Sequence, residues 1–419
     1  MLFRSATDDS DPSSGGRQSS IAPLPDLTKN AVDVLPEGRL AQQLEAGKPL
    51  RVKLGIDPTT ADIHLGHTVV LEKLAEFQRV GHTVVLIIGD FTARVGDPSG
   101  RSNTRPLPSR EEVEANAATY QEQAFKILDR ERTEVRRNSE WLEMSASDLL
   151  RLMSMTTVAR LLERDDFQKR MAANQAIAAY ELMYPLLQGY DSVAIEADLE
   201  LGGTDQKFNL LFGRDVQAAY GLPPEKIQSI MTLPILVGTD GVQKMSKSLG
   251  NYVGVTDPPG EMFGKLMSIP DEAMPEYYRL LLGEEPAAAG PNEAKRELAR
   301  RLVDRFHGGG AGERAEAEFN RLFVHHAPPE DIEELALGPF LSNGGEEVHL
   351  PRLIAAAFEI SSSEGRRLLA QGGVKLDGEP VPDGALDLPA SGLDGKVLQV
   401  GKRRFKRLRA GAGGNSPAG

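Results

Sequence analysis

The sequence predicts an α/β protein built on a doubly wound, Rossmann-like parallel sheet, and three stretches carry that reading. Val52–Ile56 reads as a short strand, Gly66–Gln78 as a helix with Val70, Leu71, Leu74 and Phe77 on one stripe, and Val84–Ile88 as an unbroken apolar strand. Strand, helix, strand is a βαβ unit, and a strand apolar on both faces suits the centre of a parallel sheet covered on both sides. The pattern recurs further on. An expected strand at Val193–Leu201 runs into the polar turn Gly202-Gly203-Thr204-Asp205-Gln206 and then a helix near Lys207–Ala219. Such sheets bind ligands outside their strand carboxyl ends, so polar turns that follow strands are where functional residues are expected.

Downstream the texture changes twice. Pro258-Pro259 opens a stretch of helical segments to about Leu341, broken by Pro286–Pro291 and by Gly308-Gly309-Gly310, which predicts a small all-α domain. From Leu350 on, Ser361-Ser362-Ser363-Glu364 starts a helix, Gly372-Gly373 ends it, and Val374–Leu376 meets a hairpin turn at Asp377-Gly378. These features predict a compact α+β module. The expected organisation is a leader over 1–30, a catalytic domain over 31–255, a helical domain over 256–341, the module over 350–409 and a tail over 410–419. Both ends are rich in small and polar residues and read as disordered. A chain of 419 residues with domains of roughly 150 has room for this arrangement.

Composition narrows the function classes. Hydrophobic residues make up 40% and charged residues 26%, the profile of a globular chain without the apolar runs a spanning helix needs. Cysteine is absent, which excludes disulfides and thiolate metal sites and fits a reducing compartment, with cytoplasm the default. No protein-bound metal is expected. The formal charge of −13 argues against indiscriminate nucleic-acid binding. Its distribution matters more than its total: His349–Arg409 holds eleven Lys and Arg against seven Asp and Glu, or +4, leaving −17 for the remainder.

Two motifs carry most of the chemical information. Gly55–His67 strings Asp57-Pro58-Thr59 and His64-Leu65-Gly66-His67 between a strand and a helix, where backbone N–H groups favour anionic oxygens. Gly66 leaves room for a base or ribose, and the imidazoles can donate to phosphate oxygens. Far downstream, Lys244-Met245-Ser246-Lys247-Ser248 sets two lysines three apart in a loop leading to Gly250, able to close over a polyphosphate. A lone histidine near a helix start is most often a cap, and a lone Lys-x-x-Lys most often a solvated loop. Together they resemble the signature of class I aminoacyl-tRNA synthetases. The resemblance implies that both segments meet one ATP, with His64, His67, Lys244 and Lys247 supplying donors to the departing pyrophosphate. A carboxylate attacking the α-phosphorus needs no side-chain nucleophile, so catalysis would rest on positioning and charge.

A third constellation concerns the amino acid. Tyr184, Gln188 and Asp191 stand at i, i+4 and i+7, so on a helix they share a face. Polar groups facing a core are unfavourable without polar partners, and a tyrosine substrate offers an ammonium, a carboxylate and a phenolic hydroxyl. The pattern, followed by Gly202-Gly203-Thr204-Asp205-Gln206, is similar to tyrosyl-tRNA synthetases from about Val34 to the C-terminal module. Carried over by residue, the resemblance puts Asp97 of Gly96-Asp97-Pro98-Ser99-Gly100, Tyr184, Gln188 and Gln206 around the substrate ammonium and α-carbon, and Asp191 on the phenolic hydroxyl. It implies ATP contacts at Gly55, Asp57, Gly66, Gly203, Asp205 and Lys247, with Asp57, Thr59, Arg101 and Arg105 around the phosphates and Gly203 and Asp205 at the ribose. Asp97 in such a string is more often a turn residue. Lys53, four before Asp57, stands where a number of such enzymes carry a second phenol, which leaves Asp191 as the hydroxyl partner.

The final strand-like run, Lys402-Arg403-Arg404-Phe405-Lys406-Arg407-Leu408-Arg409, interleaves bases with two apolar residues and suggests one packed and one basic face. The Ser362–Leu369 and Val374–Gly378 stretches resemble a small RNA-binding domain shared with a ribosomal protein, found at the C-terminus of bacterial-type tyrosyl enzymes and not of tryptophanyl ones. The resemblance implies RNA contacts at Arg366, Arg367, Lys375, Lys402, Arg403, Arg404 and Lys406. It also implies tyrosine, ATP with magnesium, and a tyrosine-specific tRNA as partners, and a homodimer with no membrane association. A tryptophanyl enzyme and a synthetase-derived RNA-binding or splicing protein remain the alternatives.

Overall fold

The computed structural model describes residues 26–59, 62–98, 108–287, 290–324, 332–382, 384–401 and 404–410. They fall into two compact units: described residues up to Thr59 with those in Val70–Val113 and Ile127–Pro234, and those in Thr60–Val69, Glu114–Lys126 and from Ile235 onward. The histidine turn and the lysine loop, expected within one domain over 31–255, both belong to the second unit.

The first unit is a six-stranded sheet. Its strands are β1 (Asp33–Leu35), β2 (Arg51–Ile56), β3 (Thr83–Ile88), β4 (Thr133–Arg137), β5 (Leu199–Gly203) and β6 (Ser229–Leu233), in the order β1-β6-β5-β2-β3-β4. All neighbours are parallel except β1, which lies antiparallel on β6 at the edge. Val84–Ile88 is buried throughout, as a strand covered on both faces must be. The chain runs outward from β2 through β3 to β4, then returns to the other side of β2 for β5 and β6. The strand order therefore reverses between β2 and β5. Those two strands pair at only two positions, Val52 with Leu199 and Lys53 with Glu200, and part before their carboxyl ends.

The expected strand at Val193–Leu201 needs correction. Helix Tyr184–Ala194 takes up its first two residues, and Ala197 N–H closes onto the Ser192 carbonyl while Glu196 adopts a left-handed φ of 53°. Only Leu199–Gly203 remains for the sheet. Val193 and Ala194 extend the helix because nothing before Glu196 breaks it. Helix Lys207–Ala219 packs on this one through a glycine pair: a Cβ at Gly189 would stand 2.8 Å from Val216 Cγ2 and 3.3 Å from the Gly213 backbone.

In the second unit, helices Pro259–Met267, Pro291–His307 and Ala311–Phe319 pack around Phe263, Leu298 and Leu302. The C-terminal part begins earlier than Leu350. Strand β7 (Glu334–Ala336) pairs in parallel with Arg404–Arg409, and Leu337 is buried in the core beside it, so this segment belongs with the mixed α+β layer and not with the helices. With β8 (Leu341–Ser342), β9 (Glu347–His349), β10 (Val374–Leu376), β11 (Glu379–Pro380), β12 (Asp387–Pro389), β13 (Val397–Val400) and β14 (Arg404–Arg409), it forms sheets ordered β11-β10-β13-β14-β7 and β12-β9-β8. Helices Leu350–Phe358 and Ser362–Ala370 cover Val348, Leu353, Ile354, Leu398 and Leu408. Ser361 caps the second helix by accepting from Glu364 N–H. Asp377 and Gly378 turn the hairpin with φ of 50° and 86°.

The close approach at Gly189 is open to test. Gly189→Val inserts three carbons where a single Cβ already overlaps a neighbour, and a loss of about 1–3 kcal/mol is expected. Urea denaturation followed by far-UV circular dichroism checks it. Unchanged stability would mean that the helices are not in such close contact.

Candidate active site

Helix Tyr184–Ala194 presents its polar residues to the sheet of the first unit as their spacing predicts, and each meets a partner from another element. The Tyr184 hydroxyl donates to Asp57 Oδ2 at 2.9 Å, and Thr92 Oγ1 donates to Asp57 Oδ1 at 2.7 Å. Gly89 makes that cluster possible, because a Cβ there would lie 2.1 Å from Asp57 Oδ1. Burial, reinforced by the nearby Asp97 and Asp191 carboxylates, pushes Asp57 up to about 7 against the two hydrogen bonds. Burial, then Asp57, raises the Tyr184 phenol well above its ordinary range.

Asp191 is 3% exposed. Trp141 Nε1–H donates to its Oδ1 at 2.8 Å and Asn138 Nδ2–H to its Oδ2 at 3.4 Å. Burial pushes Asp191 up to about 6, while the Lys53 ammonium and these two donors act in the other direction. A carboxylate has about four lone-pair sites, so a further donor such as a phenol can still be accepted. Neither Trp141 nor Asn138 was recognisable as a functional residue from local sequence. Their partner lies some fifty positions away in the chain.

Lys53 is fully buried and does not stand in for a phenol. Its ammonium pairs with Glu200 Oε1 at 2.9 Å and donates to Ser192 Oγ at 2.8 Å and to the Gln188 carbonyl at 3.1 Å. Glu200 also accepts from Gln188 Nε2 at 3.2 Å, Ser192 Oγ at 3.1 Å and Gln228 Nε2 at 2.6 Å. Lys53 and Glu200 face each other across the last shared rung of β2 and β5. Gln188 Oε1 is buried with no hydrogen-bond partner among the described residues.

A second polar ring holds Asp97. Gln206 Nε2 donates to Asp97 Oδ2 at 2.7 Å, and Asn209 Nδ2 donates to Gln206 Oε1 at 3.0 Å. Arg164, 2% exposed, donates to Asn209 Oδ1 at 2.7 Å and to Asp97 Oδ1 at 3.4 Å. Asp97 and Gln206, singled out from separate motifs, are thus neighbours. Arg164 and Asn209 were missed, since an arginine and an asparagine in helical stretches usually read as surface.

In the second unit the two motif segments meet. Leu65 N–H donates to the Val253 carbonyl and Val255 N–H to the Ile63 carbonyl, both at 2.9 Å, with His64 bridged to Gly254. Met245 is buried and its sulfur lies 3.3 Å from Gly66 N, so the apolar residue of the lysine loop anchors against the histidine turn. A Cβ at Gly66 would crowd the His64 ring at 3.0 Å. The His64 and His67 rings stack at 3.8 Å. His67 Nδ1 accepts from His64 N–H, which leaves Nε2 of His67 as its donor, and His64 Nδ1 is buried without a partner among the described residues. Burial and the neighbouring cations lower His67 to about 4 and His64 to about 2, so both rings are neutral at physiological pH. Lys247 reaches Asp62 at 3.3 Å and lies over the Tyr252 ring at 5.8 Å, with burial lowering its proton affinity against the pull of Asp62. Lys244 is exposed. Tyr252, given no role from sequence, also carries Lys265 at 4.9 Å.

The remaining expected residues are more scattered in character. Gly55 and Thr59 are exposed at the carboxyl end of β2, and Gly203 and Asp205 are half-buried at that of β5. Arg101, Arg105, Lys402 and Arg403 lie outside the described residues. Arg366 is exposed and Lys375 half-buried. Arg367 is paired with Glu364, Lys406 with Glu333, and Arg404 lies over Phe358. A cleft of about 530 Å³ in the second unit, lined by Glu261, Arg314, Glu318 and Phe319 among others, contains none of the expected site residues.

An α/β sheet with polar clusters at a switch in strand order, and a lysine loop stitched to a histidine turn, define a nucleotide-dependent enzyme of the class I synthetase type. A family model described as tRNA synthetases class I (W and Y) matches residues 45–324, and the chain belongs to that family. Tyrosine–tRNA ligase of Moorella thermoacetica is 50% identical over 400 residues, which cover 91% of this chain and 94% of that protein. The Geobacter sulfurreducens protein of the same name is 49% identical over 400 residues, covering 91% and 97%. Two solved structures share the fold: tyrosyl-tRNA synthetase of Archaeoglobus fulgidus complexed with L-tyrosine (TM-score 0.57, 24% identity, 69% of this chain and 97% of that one) and a C-terminally truncated mitochondrial tyrosyl-tRNA synthetase of Aspergillus nidulans (0.58, 22%, 70% and 91%).

Asp191 gives a prediction with a definite sign. Its folded pKa of about 6 lies above the unfolded value near 3.8, so the stability it contributes is present at pH below about 4 and is lost as pH rises to about 6. Asp191→Asn is therefore expected to be more stable than the parent above pH 6, by up to ~3 kcal/mol, with the difference closing towards pH 4. Denaturation midpoints of both proteins between pH 4 and 8 measure it. A gap independent of pH would sink the assignment.

Proposed function

We propose that the chain joins tyrosine to its tRNA, the activity of a tyrosine–tRNA ligase. In the first step a carboxylate oxygen of tyrosine attacks the α-phosphorus of ATP, the bond to the β-phosphate oxygen breaks, and tyrosyl-adenylate and pyrophosphate form. In the second step a ribose hydroxyl of the terminal adenosine of tRNA attacks the tyrosyl carbonyl and AMP leaves. The observation that carries the choice of amino acid is the buried Asp191 carboxylate, held by Trp141 and Asn138 on the same helix as Tyr184 and Gln188. A substrate without a hydroxyl buries that carboxylate with one donor fewer, which disfavours phenylalanine.

The roles are those the family resemblance implies, and the polar clusters described above support them. Asp97, Tyr184, Gln188 and Gln206 take the ammonium and α-carbon, Asp191 the phenol, Gly55, Gly203 and Asp205 the adenosine side, and Asp57 lies towards the phosphates. The neutral His64 and His67 donate hydrogen bonds without charge, and Lys244 and Lys247 neutralise the pyrophosphate as it leaves, with Thr59, Arg101 and Arg105 assisting at the phosphates. ATP enters with magnesium on its phosphates, as substrate. Arg366, Lys375 and the basic residues of β14 hold the tRNA backbone. A cytoplasmic setting is the reading that the absence of cysteine fits. The protein works as a homodimer, a reading supported by exposed Leu150, Met153, Val158 and Met171 within 146–172.

The test is pyrophosphate exchange without tRNA. Exchange should depend on tyrosine, be far weaker with phenylalanine and be absent with tryptophan, and Lys247→Ala should lower kcat by about 10²–10³-fold while moving the tyrosine KM little. Exchange with tryptophan in place of tyrosine overturns the function, and equal losses in kcat and affinity overturn the role of Lys247.

The RNA-binding role is tested separately. Replacing Arg366 and Lys375 by Gln should leave exchange intact, weaken tRNA binding and reduce the slope of log affinity against log salt by about one to two units. An unchanged slope means that these residues do not meet phosphate.

A further inference from the structure

The ion pair between Lys53 and Glu200 sits in a place where charge is expensive. Both side chains are buried, at the last rung before β2 and β5 separate, and their hydrogen bonds go to Gln188, Ser192 and Gln228. Replacing such a pair by apolar groups is commonly neutral or stabilising, so its retention calls for a use beyond stability. Its arrangement supplies one. An ionised carboxylate accepts and cannot donate, so the Gln188 amide must turn its NH₂ towards Glu200. The Gln188 oxygen then faces away from the pair, buried and without a donor among the described residues. Lys53 holds the same residue by its carbonyl, at 3.1 Å, and holds Glu200 at 2.9 Å. Without the carboxylate the amide could present either end.

We propose that Lys53 and Glu200 are positioning residues that fix Gln188 as a hydrogen-bond acceptor towards the substrate ammonium, and so set the enzyme's demand for an α-amino group. The proposal rests on the tyrosine reading above and goes beyond it, because it assigns to a lysine–glutamate pair the orientation of an uncharged amide. The occupant is a protonated amine, which has donors and no acceptor. An amide turned the other way would present its own N–H groups to that cation and repel it. Ser192, Gln217 and Gln228 complete the frame: Ser192 Oγ and Gln228 Nε2 occupy the second Glu200 oxygen, and Gln217 accepts from Gln228 N–H at 2.8 Å.

The experiment compares tyrosine with 3-(4-hydroxyphenyl)propanoate, which keeps the phenol and carboxylate and lacks the amine. Dissociation constants come from the fluorescence of Trp141, the only tryptophan in the chain. In the parent protein tyrosine should bind tighter. In Lys53→Met/Glu200→Leu, which removes both charges together, the preference should shrink by about 10-fold or more, the range for a hydrogen bond to a charged group, while the constant for the amine-free acid moves by less than about 3-fold. Glu200→Gln retains an oxygen held by Lys53 and should keep most of the preference. If the apolar pair does not fold, Lys53→Gln/Glu200→Gln supplies every buried group with a partner and should show the same loss. An undiminished preference in the double variants, or equal weakening of both ligands, overturns the proposal. A parent protein that binds neither ligand, or supports no tyrosine-dependent exchange, instead overturns the functional reading beneath it.

Discussion

Strands β2 and β5 pair at Val52 and Lys53 and then part, and the first unit's polar architecture follows from that separation. Parallel strands that stay paired leave no space between their side chains for a ligand. Strands that diverge expose the flanks of whatever helix covers them. The covering helix is Tyr184–Ala194, pinned by the glycine contact at Gly189 and Gly213 and by the Lys53 bond to its own Gln188 carbonyl. Buried charges must be paired to be tolerated, and the pair lies where the two strands last touch. Closure below and opening above thus share one hinge of hydrogen bonds.

The two units carry opposite electrostatic problems. In the first, Asp57 and Asp191 are carboxyl groups whose burial raises them to about 7 and about 6, so each sits near the boundary between acid and anion at neutral pH. Groups in that condition respond strongly to an added donor, since a hydrogen bond to the charged form favours it. In the second, the imidazoles of His64 and His67 are held neutral by burial and by the lysines beside them. A neutral ring can orient a phosphate oxygen without adding to a cluster of cations. The positive charge there lies on Lys244 and Lys247, the second of which rests on Asp62 and the Tyr252 ring.

What could be read from the sequence was what is local in the chain. The βαβ unit, the helix face with Tyr184, Gln188 and Asp191, the Ser361 cap and the Asp377-Gly378 turn depend on residues a few positions apart. The pairing of the histidine turn with the lysine loop was legible only through their joint resemblance to a family, because no local rule joins segments so distant. The partners of Lys53 and Asp191 were not legible. Glu200 reads as an ordinary strand residue and Trp141 as packing until the sheet sets them opposite their charges. Strand β7 escaped for a related reason: three residues carry no periodicity, and its mate is β14, seventy-odd residues on. The end of the helix at Ala194 was misplaced because a left-handed Glu196, with no glycine to announce it, makes the turn.

The substitution at position 53 shows why a pocket cannot be inferred one residue at a time. A phenol in that position could donate to and accept from a substrate hydroxyl, while a lysine there, judged alone, would place a bare cation against the ring. Glu200 across the rung changes the outcome, since it holds the ammonium at 2.9 Å and removes it from any role against the hydroxyl. In the proposed function recognition of the phenol then falls to Asp191 with Trp141 and Asn138, and the ion pair serves to orient Gln188. Two charges that would each be unfavourable in an apolar core become compatible when they face each other, and the effect proposed for the pair falls on the amine of the substrate and not on the hydroxyl that position 53 would be expected to touch.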